Sequence, residues 1–117
     1  MSLFDNTKKV SGTGDAADGS ADQTLIAAPG KGKRIYVQKG FVAVTVASAG
    51  NTGFVALEDG IGGTRIFEAD ADSVGIYPID FGEIGYPLSL NTLLNLTVDG
   101  DGATEATARA TITGIVI

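Results

Sequence analysis

Lys33-Arg34-Ile35-Tyr36-Val37-Gln38-Lys39-Gly40-Phe41-Val42-Ala43-Val44-Thr45-Val46-Ala47-Ser48 is the stretch that decides the fold. Its large apolar residues stand at odd positions, Ile35 and Val37, and then at even ones, Val42, Val44 and Val46. Alternation places every second side chain on one face of an extended chain, which is the pattern of a half-buried β-strand. A strand keeps one phase unless an extra residue enters it. The change of parity therefore predicts a bulge or sharp bend near Lys39-Gly40.

Outward from this stretch the same kind of signal recurs. Before it, Leu25 and Ile26 start a short strand that is closed by the turn Pro29-Gly30-Lys31-Gly32. After it, Gly50-Asn51-Thr52-Gly53 reads as a hairpin turn into Phe54–Leu57, and the glycine-rich Glu58–Gly63 leads to Thr64–Glu68. Ala69–Asp72 is an acidic turn before Ser73–Ile79, with Val74 and Ile76 on one face. Pro78 and Pro87 flank a loop whose Phe81, Ile84 and Tyr86 are expected to fold back onto the core. Even positions are apolar at Leu88, Leu90, Leu94, Leu96 and Val98, with Thr92 breaking the series. Asp99-Gly100-Asp101-Gly102 is a turn by composition. In the last strand, Thr104–Ile117, Ala106, Ala108, Ala110 and Ile112 alternate with Thr107, Arg109, Thr111 and Thr113. The expected fold is all-β: a single β-sandwich or jelly-roll-like domain of seven to eight short antiparallel strands over residues 25–117.

Residues 1–24 read differently. Between Asp5 and Thr24 there is one valine and no other large apolar side chain, too little to offset the entropy of ordering the backbone. They are expected to form a flexible N-terminal arm.

Charge divides along the chain too. Residues 1–40 hold Lys8, Lys9, Lys31, Lys33, Arg34 and Lys39 against four aspartates, a balance of +2, and the remainder carries −8, giving −6 in total. An acidic body repels phosphate, so nucleic acid is not an expected partner. No apolar run reaches the roughly 18 residues that cross a bilayer, and no apolar segment follows Lys8-Lys9 as a secretory signal requires. The expectation is a soluble protein made in the cytoplasm, without a membrane partner. With no cysteine there is no disulfide framework.

The chemistry of catalysis is thinly represented. Histidine and cysteine are absent, which removes Ser-His-Asp and Cys-His machinery and the usual zinc ligands. The acidic pairs Glu58/Asp59, Asp70/Asp72 and Asp99/Asp101 all sit in expected turns, where aspartate caps backbone. A glycosidase would also want aromatic sugar platforms, and the chain has no Trp and three Tyr. Asp99-Gly100-Asp101-Gly102 begins like a calcium loop, but the fifth and twelfth positions are Ala103 and Ala110, which excludes an EF-hand. A Ca²⁺ site assembled from distant turns stays open at this point. Gly60-Ile61-Gly62-Gly63-Thr64 lacks the Lys-Ser/Thr of a phosphate loop and reads as a hairpin connection. No enzyme, cofactor or metal is expected. The last strand has two readings: zipped into its own sheet, or buried against another subunit.

Three groups of residues carry a resemblance. Lys33-Arg34-Ile35-Tyr36-Val37 resembles an opening K-x-I-x-V strand. Val55–Gly60 followed by Gly63-Thr64 resembles a v-x-L-x-D-G-x-G-G-T hairpin. Ile79-Asp80-Phe81, Gly85–Leu88 and the closing Thr111-Ile112-Thr113-Gly114 resemble the loop and T-x-T-G strand that complete it. Together they resemble the small β-sandwich virion proteins of tailed bacteriophages, of the capsid decoration, cement or head-fibre type. Many relatives have Trp where this chain has Tyr86.

The resemblance implies a non-enzymatic structural protein on the capsid surface, a homotrimer bound to the major capsid protein. The arm and its neighbours, Phe4, Lys8, Lys9, Val10, Lys31, Lys33 and Arg34, would make the contact. The alternative is a carbohydrate-binding or adhesin-type β-sandwich of a phage tail or cell surface, which the scarcity of aromatics disfavours.

Overall fold

The computed structural model of the chain describes residues 8–17, 22–47, 53–99 and 106–117. Among these described residues nine strands run in the order β1 (Lys8–Ala17), β2 (Gln23–Ile26), β3 (Ile35–Val46), β4 (Phe54–Asp59), β5 (Thr64–Asp70), β6 (Gly75–Asp80), β7 (Tyr86–Pro87), β8 (Leu94–Asp99) and β9 (Thr107–Val116). They form two antiparallel sheets. One has the order β1-β9-β3-β6, with the two-residue β7 also paired to β3; the other has the order β2-β8-β4-β5. The chain is an all-β sandwich. Its core is built from the inward faces of both sheets, among them Ile35, Val37, Val42, Val44 and Ile112 from the first and Val55, Leu57, Leu94 and Leu96 from the second. Each such side chain contributes about 1.5–3 kcal/mol on burial.

The parity change in β3 is a bulge. Val37 pairs with Gly114 and Lys39 with Thr113, so Gln38 is the extra residue that returns Val42 and Val44 to the inner face. Gly40 follows at φ 154°, and a methyl group there would lie 2.0 Å from the carbonyl oxygen of Thr111. Only glycine lets the two backbones approach so closely.

Residues 8–17 overturn part of the expected arm. They form β1, which pairs with β9 over ten successive positions from Lys8↔Val116 to Ala17↔Thr107. Counting large apolar side chains missed this strand because few hold it. Val10, Gly12, Gly14 and Ala16 occupy its inward positions; Ala16 is buried and Val10 packs partly against the core. Alternate residues instead exchange two backbone hydrogen bonds each with β9, on average one per residue, worth about 0.5–1.5 kcal/mol net, which roughly offsets the 1–2 kcal/mol of backbone entropy lost. The strand lies on a sheet edge that is already built. The next strand begins at Gln23, two residues before Leu25.

Other differences have similarly local causes. β9 is the central neighbour of β1 and β3, so its reading as a strand zipped into its own sheet holds within this chain. Its outward threonines bond across the sheet: Thr111 Oγ1 lies 3.0 Å from that of Thr13, and Thr107 Oγ1 lies 2.8 Å from that of Thr45. In the loop after β6, Phe81 reaches the core and meets Tyr86 at a ring separation of 5.6 Å, whereas Ile84 is 76% exposed. Leu88 is buried but Leu90 is exposed, and β8 starts only at Leu94, after the break at Thr92. Val74 and Ile76 both point outward and are exposed. The turns expected at 50–53 and 99–102 fall mostly outside the described residues.

Candidate functional site

The loop from Ala27 to Arg34 joins β2 to β3 and carries three of the basic residues. A turn closes it, with Lys33 N donating to Gly30 O at 3.1 Å. A second anchor is Asn91. Its side-chain oxygen accepts from Gly30 N at 2.9 Å, and its own N–H donates to Lys33 O at 2.7 Å. Asn91 holds φ 47°, the left-handed conformation that asparagine tolerates better than most residues. A third anchor is reciprocal: Arg34 N donates to Ile117 O and Ile117 N donates to Arg34 O, at 3.1 and 3.2 Å. The loop is thus pinned beside the end of β9.

β1 starts at the same end of the sandwich, because Lys8 pairs with Val116. Between the start of β1 and the β2–β3 loop lies a groove of about 430 Å³. Val10, Ile26, Pro29 and Val116 supply apolar lining, and Lys8 and Lys33 also line it. On the other side of Val10 a shallower groove of about 360 Å³ is lined by Lys9, Gln38 and Thr113. Lys8, Lys9, Lys31 and Lys33 are exposed, and Arg34 is half-buried.

Every described residue of the expected contact set, Lys8, Lys9, Val10, Lys31, Lys33 and Arg34, therefore lies at one end of the sandwich. Phe4 lies outside the described residues. The opposite end is acidic: Asp70 and Asp99 flank Phe54 in the register of the second sheet, and Asp72 accepts from Gly53 N at 3.1 Å. The groove joins apolar side chains to Lys8 and Lys33, although Glu58 and Asp59 stand at the same end of the second sheet. A partner segment with apolar side chains and carboxylates fits the groove by burial and by charge.

Of the acidic pairs, Glu58 and Asp59 hold the chain around them, and Asp101 lies outside the described residues. Both Asp59 oxygens accept from Ser89 N, at 3.1 and 3.0 Å, and Ser89 Oγ donates to Oδ2 at 2.7 Å. Glu58, buried beside the β4–β5 turn, accepts from Asn95 Nδ2 at 2.9 Å and from Gly62 N at 3.3 Å. Among the described residues no group of three or more metal-ligating side chains comes together. Sequence reasoning did not find Asn91 or Asn95; an asparagine within an apolar series, as in Leu94-Asn95-Leu96, was the available signal.

One further pair crosses the β1–β9 seam. Arg109 Nε donates to Asp15 Oδ1 at 2.8 Å. That hydrogen bond, chiefly, holds the Asp15 carboxyl below its ordinary value and raises the guanidinium of Arg109.

Comparison with known proteins adds little. No family model matches the chain, and no curated protein matches it. Among solved structures it is similar to a chain of the virus-like particle of the extra small virus of the giant freshwater prawn Macrobrachium rosenbergii. The identity is 17% and the TM-score 0.36, over 93% of this chain and 79% of that one. Likeness at that level carries no argument beyond the sandwich read directly from the strands.

Proposed function

We propose that this protein is a structural component of a virus particle, a capsid decoration or cement protein of a tailed bacteriophage that binds the outside of the head as a homotrimer. The observation that supports this best is the convergence of Lys8, Val10 and Lys33 on one groove of mixed apolar and polar lining at the end where β1 starts. A site of that kind suits docking on a protein surface, with apolar burial giving affinity and lysines steering the approach. The sequence resemblance supplies the class of partner, the major capsid protein.

Co-sedimentation with shells of the major capsid protein tests the reading. The full chain is expected to pellet with shells, and the double variant Lys8→Glu/Lys33→Glu to remain largely in the supernatant while keeping its thermal midpoint. A full chain that stays in the supernatant at every ratio would refute shell binding. Light scattering is expected to give a mass near three chains, and a monomer at micromolar concentration counts against the trimer.

A further inference from the structure

We infer that β1 is an exchangeable strand: it leaves β9 of its own chain and takes the same place on β9 of a second copy. This does not depend on shell binding. The inference starts from how β1 is held. Ten consecutive residues pair with β9, yet Ala16 is the one buried side chain among them, and Val10 is half-buried. The rest of the inner row is Gly12 and Gly14. Few of the apolar side chains lost on opening this seam belong to β1 itself. Leaving also uncovers Leu25 and Ile26 beneath its glycine row, and seating on a second copy covers them again, so β1 can exchange while β3, β6 and the second sheet stay folded.

The vacated place is specific for this chain's own strand. A methyl group at position 12 would stand 1.8 Å from the Leu25 carbonyl oxygen, and one at position 14 would stand 2.5 Å from Gln23 Cγ. The β9 edge is roofed by the β2 backbone so closely that a seated strand needs glycine at position 12, while at position 14 a side chain would have to push Gln23 aside. Outward, the seated strand must also offer Thr13 to Thr111 and Asp15 to Arg109. The β1 of another copy meets every one of these conditions. Left open, a ten-residue edge is a template for strand addition, and exchange of identical elements satisfies it without any new contact. Five residues, 18–22, connect β1 to β2. Extended, they reach about 17 Å, which is several strand spacings of about 4.8 Å.

Cysteine pairing tests the exchange cleanly, because the chain has no cysteine. The full-length single variants T13C and T111C are mixed at high concentration, incubated, diluted and oxidised. The double variant T13C/T111C is expected to close within one chain, which verifies the register. The mixture is expected to give a covalent heterodimer about tenfold above that from T13C with T107C, since a disulfide needs Cα atoms roughly 4.4–6.8 Å apart. Adding Gly12→Val to the T13C chain is expected to remove this excess. Monomers alone from the mixture, or equal yields from the matched and off-register pairs, would overturn the exchange. So would an excess that survives Gly12→Val. Failure of the double variant to close would overturn the seam on which the exchange rests.

Discussion

Along one flank of β9 lies β3, with Ile35, Val37, Val42 and Val44 turned into the core; along the other lies β1, with Val10, Gly12, Gly14 and Ala16. Both flanks are antiparallel and paired along nearly their whole length. A ladder diagram would draw them alike. The β3 flank joins two rows of buried aliphatic side chains, so parting it would expose the core. The β1 flank adds two apolar side chains of its own, Val10 and Ala16, to backbone hydrogen bonds, a threonine contact and an exposed ion pair, so parting it gives up their burial and that of Leu25 and Ile26 beneath them. Equal pairing therefore does not mean equal stability, and the side chains beneath the ladder decide which seam can open.

Substitutions that attack each flank separate the two. The largest effect is expected from Gly40→Val. Its side chain has no room beside the Thr111 carbonyl, and a loss of about 4 kcal/mol or more would place it among the exceptional destabilising changes. Urea unfolding followed by circular dichroism reads this as loss of the folded baseline. Ile112→Ala, which empties a fully buried position of β9, is expected to cost about 2–5 kcal/mol. By contrast, Gly12→Val should displace β1 and cost only about 1–2 kcal/mol, within the common range for single changes. Its amide spectrum should lose the β1 cross-peaks and keep those of β3, β4 and β8. Collapse of the whole spectrum would erase the distinction between the flanks.

The smallest effect concerns pH. The Asp15 carboxyl is held below its ordinary value by Arg109, so the pair's contribution to β1 docking is complete above the ordinary aspartate pKa of about 3.9. It fades as pH falls through the lowered value. Both groups lie at the surface, where such pairs contribute little. Amide exchange in β1 is expected to be indifferent to this pair between about pH 5 and 8, and Asp15→Asn to remove the acid-side dependence without shifting the thermal midpoint measurably.

How much of this was legible in the sequence follows the same division. The apolar runs on the core side announced their strands: the parity change from Val37 to Val42 announced a bulge near Lys39-Gly40, which falls at Gln38, and Leu94, Leu96 and Val98 marked β8. β1 was not legible, because a strand whose inner row is mostly glycine and alanine has no periodic apolar signal. Its place is created by the edge of β9 and by the closeness of β2. The gathering of lysines toward the N-terminal part was visible, but the groove was not, since it depends on Asn91 fastening the β2–β3 loop from 61 residues away. The Glu58–Asn95 pair was hidden for the same reason: turn composition suggested a local cap, and the partner comes from a neighbouring strand.

Native-state hydrogen exchange along β9 tests the central contrast within one element. Successive amides of an antiparallel strand point to opposite sides, so alternate β9 residues donate toward β1 and toward β3. Amides facing β3 are expected to exchange only through global unfolding, with a steep denaturant dependence. Those facing β1 are expected to exchange through a local opening nearly independent of denaturant. Uniform protection along β9, with one common denaturant slope, would contradict the account.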